Sequence, residues 1–305
     1  MPPSVSEIVE QALWWLPEDT ETVFVARGPF KARAASFLEQ ATLRDALRVW
    51  GYWNHPDSGQ AAMRQMLRGR TVLASVEGSR KFRSPGGLGL MPCESCQILV
   101  LQPQAGAATT LLKPLAGRAR RVLTIEGQQV LMFSEKREQD TWTIFVAAPA
   151  PGILLSATNE GFLRAVLQRR RARAARRALP DTLPEWRHID RSAPFWGLRH
   201  YDKRNAAFDP SSPITGRPAP ANEPDSKAIG LAFTFRPERD KRARVVYLSA
   251  NPQAVQIATR FWRHPLEGLT PQIRRIGADA VEVSAQPVRL FLLVLMAALG
   301  HAVYL

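Results

Sequence analysis

The sequence predicts an α+β fold, mainly antiparallel sheet packed against helices, in two similar halves that each use a strand–strand–Asn–helix unit. Three observations carry that expectation. Short apolar, β-branched runs bounded by turn residues fill the middle of the chain, and helical periodicity marks its N-terminus. The third is a repeat: ILLSATNEGFLRAVLQR (153–169) is matched by VVYLSANPQAVQIATRF (245–261).

Taken in order, Ser4 or Ser6 can cap a first helix that runs to Trp15 and is stopped by Pro17. Residues 21–28 (ETVFVARG) read as a strand. A second helix follows, with Thr42 and Asp45 at capping-box spacing and Leu43, Ala46, Leu47 and Trp50 on one face. HPDSG (55–59) breaks it, and a third helix turns Ala62, Met63, Met66 and Leu67 inward before Gly69. Residues 71–77 and 97–102 read as strands. Residues 121–158 read as a meander of VLTIE, a turn at Gly127, QVLMFS, a charged turn KREQD, WTIFVAA, PAPG and ILLSAT. Helix 160–179 closes the first half, residues 1–180.

The second half, residues 181–305, carries five prolines between Asp202 and Lys227, so 203–226 reads as a mobile loop. Strands at 228–235 and 243–250 flank the turn RPERDK and lead to a helix from Pro252 to about Arg263. Asn159 and Asn251 stand at N-cap positions, and Pro252 stands at N1, where its missing N–H costs nothing.

Charge narrows the partner class. The chain carries 41 basic and 27 acidic residues, a net charge of +14. Residues 1–155 hold 17 basic and 14 acidic residues, whereas residues 156–305 hold 24 and 13. The excess therefore lies in the second half, and it favours an acidic protein surface or another polyanion. Its densest element is RAVLQRRRARAARRAL, with arginines at 164, 169, 170, 171, 173, 176 and 177. Phe162, Leu163, Val166 and Leu167 form an apolar face that Arg169, Arg170, Arg173, Arg176 and Arg177 continue. Unpaired arginines do not extend a core stripe, so the helix is expected to leave the core after Gln168. Those five arginines are the candidate partner-binding residues. No RNP, zinc-finger or helix-turn-helix pattern points to sequence-specific nucleic-acid readout.

Catalytic signals are sparse. His200, Asp202 and Tyr201 lie together in PFWGLRHYDKR (194–204) beside the loop, a grouping suited to acid–base chemistry. Strand alternation would send Trp196, Leu198 and His200 to a core-lining face and Arg199 and Tyr201 to a polar one. Cys93 and Cys96 have CxxC spacing, but zinc would need two more ligands and a redox pair a following helix, so a loop pair able to form a local disulfide is the plain reading. PGGLG (85–89) lacks the Gly-Lys-Ser/Thr of a phosphate loop. No metal site and no cofactor are expected.

The first-choice expectation is thus a non-catalytic binding or scaffold protein that engages an acidic partner. The alternative is a hydrolase- or transferase-like enzyme with its site near 203–226. A further alternative is a membrane-associated subunit held by the uncharged segment 290–305, which is slightly short for a span. With no signal peptide evident, cytoplasmic placement is the expectation.

Overall fold

The computed structural model describes residues 4–31, 67, 70–81, 93–102, 111–137, 140–172, 176–200, 230–236, 243–248, 255–256, 259 and 271–285. The predicted helices at 42–50 and 62–69, the loop 203–226, Asn251 and the segment 290–305 lie wholly or almost wholly outside them. The fold class departs from expectation. The described chain is mostly antiparallel sheet, twelve strands with only two helices longer than one turn, and not a balanced packing of sheets on helices.

Sheet was underestimated because polar residues inside strands were read as turns. Cys93–Leu101 is one continuous strand, so the residues expected to form a cysteine-bearing loop lie within the sheet. The charged run KREQD lies largely within two strands, Gln128–Arg137 and Asp140–Ala150. The helix expected over 160–179 ends at Ala172.

Contacts divide the chain into two compact units, one formed mainly by residues 1–180 and the other mainly by 181–305. In the first unit, α1 (Val5–Trp15) is capped as its sequence requires. The Ser4 hydroxyl accepts from the Glu7 N–H, and the Glu7 carboxylate accepts from the Ser4 N–H. The strands are β1 (Thr22–Lys31), β2 (Thr71–Lys81), β3 (Cys93–Leu101), β4 (Arg121–Ile125), β5 (Gln128–Arg137), β6 (Asp140–Ala150) and β7 (Ile153–Ala157). Their order is β1-β2-β3-β7-β6-β5-β4, and β3 through β4 in that order are antiparallel neighbours. A single turn, α2 (Lys113–Ala116), precedes β4, and α3 (Glu160–Ala172) follows β7.

One face of this sheet buries Leu131, Phe133, Ile144, Val146 and Leu154 beneath Leu111, Leu112 and Leu115. α3 turns Phe162, Leu163, Val166 and Leu167 inward and contacts β6, β7 and α1, whose buried residues are Val9, Ala12 and Leu13. Asn159 starts α3 as predicted, its side-chain oxygen accepting from the Phe162 N–H at 3.0 Å.

The second unit contains a 3-10 turn at Pro184–His188 and strands β8 (Phe195–His200), β9 (Gly230–Phe235), β10 (Ala243–Leu248), β11 (Gln272–Ile276) and β12 (Ala280–Ala285). Their order is β8-β9-β10-β12-β11, antiparallel throughout. Glu21 also belongs here: its carbonyl accepts from the His200 N–H at 2.9 Å. Ala232, Val246, Leu248 and Ala280 form a buried cluster with Ile189 and Ile276 against it. Beyond β10, Val255, Gln256 and Thr259 are helical, and the Thr259 hydroxyl donates to the Val255 carbonyl. Among the described residues, no helix is long and apolar enough to cross a membrane.

Candidate functional site

The arginine-rich end of α3 does not project from the fold along its whole length. Arg169 turns back on α1: its Nε donates to the Trp14 carbonyl at 3.2 Å and its Nη1 meets Glu18 at 3.2 Å. It also donates to the Arg176 carbonyl. α1 has no basic residue in its own last turn, so Arg169 supplies both a donor and a positive charge to that C-terminus. The Arg170 guanidinium lies over the Trp15 ring, 5.5 Å from its centroid, and burial holds its pKa below the ordinary arginine value. Arg177 meets Glu10 at 3.3 Å with its side chain only 6% exposed. The adjoining Ala178 N–H donates to the Leu13 carbonyl, so the chain after α3 is fastened along α1. Arg176 and Arg171 are exposed, while Arg173 lies outside the described residues. Arg164, earlier on the helix, bridges Glu160 and Glu126.

A second basic group lies in the chain that leads into β4. Lys113, Arg118, Arg120 and Arg121 are all exposed. Arg120 donates to the Ser134 hydroxyl at 3.0 Å. No carboxylate lies within the 4.0 Å ion-pair distance of any of the four among the described residues. Three of the four fall within four residues, Arg118 to Arg121, a local cluster that the sequence reading passed over for the denser run at 164–177.

The third candidate is His200, at the end of β8. Its predicted neighbours Tyr201 and Asp202 lie outside the described residues. Its carboxylate partner is Glu185, whose Oε1 is 2.8 Å from the His200 Nδ1. Glu185 is fully buried and His200 is 29% exposed in its side chain. Pro184 opens the 3-10 turn that carries Glu185, and β9 makes room for it. A Cβ on Gly230 would overlap the Glu185 carboxylate, so only glycine fits there. The Trp186 and Trp196 rings meet edge to face beside this turn, centroids 5.6 Å apart. The expected polar face of β8 is not found: Arg199 is 1% exposed, and Phe195, Trp196, Gly197, Leu198 and Arg199 are all buried. His188 follows on the same turn, and burial, then Arg187, holds its pKa below the ordinary histidine value.

The cysteines offer no redox pair. Three residues apart in one strand, their Cα atoms are separated by roughly 10 Å, beyond disulfide reach. Cys96 is a free, buried thiol whose pKa is pushed up by burial and by Glu77. Among the described residues, no group of three His, Cys, Asp or Glu side chains is placed to hold a metal ion. The glycine-rich 85–89 lies outside the described residues.

The chain matches no family model, no curated protein and no solved structure. Its site chemistry must therefore be argued from its own residues.

Proposed function

We propose that the protein is a non-catalytic binding or scaffold protein that engages an acidic partner through a basic surface. The observation that carries this reading is the set of exposed cations left without carboxylates: Lys113, Arg118, Arg121, Arg171 and Arg176 among the described residues. Other arginines of the first unit, at 80, 164, 169 and 177, are matched to acids by the fold itself. Solvent-facing cations without internal partners keep their field available to an external polyanion. The test is binding of the full chain to fluorescent poly-glutamate over a series of salt concentrations. Affinity is expected to fall steadily with added salt; a flat response, or no binding at low salt, overturns the reading.

The second reading, a hydrolase- or transferase-like enzyme, is favoured by one observation. A buried carboxylate fixes His200 through Nδ1, as a general base needs. A panel of activated carboxylate and phosphate esters assayed with the intact protein and with His200→Gln tests it. Turnover that depends on His200 would favour this class, and its absence across the panel would remove it.

A further inference from the structure

We propose that the outer edge of β4 is a docking site for an extended acidic segment of another protein, which adds to the sheet as a further strand beside β4. The inference rests on the acidic-partner reading and gives it a place and a geometry.

Among the described residues β4 has a strand neighbour on one side only, β5. The two are joined by a two-residue loop in which Glu126 has φ 51° and Gly127 has φ 74°, the left-handed pair of a type I′ turn. In such a hairpin the flanking residues Ile125 and Gln128 exchange hydrogen bonds, and the alternation then runs back through Leu123 and Arg121. The N–H and C=O groups of Val122 and Thr124 consequently point away from β5, and both residues are exposed.

The side chains at this edge suit an incoming strand. Val122 is 52% exposed, yet its cross-strand partner Leu131 is fully buried in the layer beneath Leu111, Leu112 and Leu115. That apolar layer stops one strand short of being covered. An apolar residue opposite Val122 on an added strand would extend it, since directly opposed residues share a face. The chain that leads into β4 and its first residue carry Lys113, Arg118, Arg120 and Arg121, all exposed. Like charges on paired edges repel, so the same arginines disfavour a second copy of this chain as the occupant. An occupant with acidic residues alternating with apolar ones meets the backbone, the valine and the cations together.

The full chain would be titrated with a labelled synthetic peptide of alternating Glu and Val. Three comparisons accompany it: poly-glutamate of equal charge, the same peptide N-methylated at alternate amides, and the chain variants Val122→Pro and Arg118→Gln/Arg121→Gln. Proline at 122 removes an outward N–H and spares the β4–β5 ladder. The alternating peptide should bind more tightly than poly-glutamate. N-methylation and Val122→Pro should each weaken it about tenfold or more, as expected for lost main-chain hydrogen bonds. The arginine pair should reduce both affinity and its salt dependence. Equal binding of the alternating peptide and poly-glutamate, indifferent to methylation, overturns the edge proposal and leaves the acidic-partner reading standing. Absence of binding by every acidic probe overturns both. The N-methylated peptide needs no variant, so a misfolded Val122→Pro cannot mask the outcome.

Discussion

The end of α3 and the approach to the edge strand β4 both carry several arginines, and the fold uses them in opposite ways. At the end of α3 and just beyond it, Arg169, Arg170 and Arg177 reach carbonyls, a tryptophan ring and carboxylates of the α1 region. In the approach to β4, Lys113, Arg118 and Arg121 have no carboxylate near them among the described residues. Density of positive charge along the sequence therefore misleads about where positive charge is available. What decides it is whether another element brings acids alongside. α1 and the residues just after it do so for the end of α3 and the chain beyond it, through Glu10 and Glu18, whereas β4 has a strand on one side only among the described residues.

The strongest way to break this contrast is Arg177→Ala. With a side chain only 6% exposed, Arg177 is buried as well as paired with Glu10 of α1. Its removal should destabilise the protein by about 2 kcal/mol, less than the loss of a fully buried pair because Glu10 remains partly hydrated. Denaturant midpoints measure this, and an unchanged midpoint would mean that Arg177 is a surface cation after all.

A smaller loss, about 1 kcal/mol, is expected from Arg169→Met, which keeps the apolar stem and removes the donors to Trp14 and Glu18. Adding salt should narrow the difference from the parent protein, since Glu18 is half exposed and its pairing is screened. A loss that does not respond to salt would assign the effect to the Trp14 carbonyl alone.

Glu126→Asn should change stability in the other direction. Glu126 sits at φ 51° in the β4–β5 turn, where asparagine is tolerated better. The pair it gives up with Arg164 is partly exposed and worth little. A gain of about 0.5 kcal/mol is expected in thermal unfolding, and a clear loss would show that the contacts of Glu126 with Arg164 and Gln168 outweigh the backbone strain.

How much of this was legible before the fold was known follows from sequence separation. Local signals were readable: the Ser4–Glu7 cap, the Asn159 cap and the hairpins from β4 to β7 all rest on residues a few positions apart. The fate of the arginines was not, because Arg169 and Glu18 are 151 positions apart and Arg177 and Glu10 are 167 apart. His200 was paired in expectation with its chain neighbour Asp202, while the fold supplies Glu185, fifteen positions upstream. The balance of sheet and helix was misjudged for a related reason. Strands such as QIRRI and AVEVSA place arginine and glutamate opposite one another, Arg274 beside Glu282, so their polar residues are satisfied across the ladder. Read singly, those residues interrupt the apolar pattern that marks a strand, and 272–285 drew no strand expectation. Which strand ends a sheet is a property of the whole topology, and so the β4 edge carried no sequence signal.

The smallest expected effect is the most discriminating. Arg118→Gln combined with Arg121→Gln should leave stability within about 0.5 kcal/mol of the parent, since neither side chain has an internal acidic partner among the described residues. The corresponding pair at the end of α3 and just beyond it, Arg169→Gln with Arg177→Gln, should unsettle the fold measurably by removing two matched charges. Thermal unfolding of the two double variants side by side reads the contrast directly. If the β4 pair destabilises as much as the α3 pair, the β4 arginines are structural and their charge is already committed within the molecule. If only the α3 pair does, the fold has spent one arginine cluster on holding itself together and left the other facing outward.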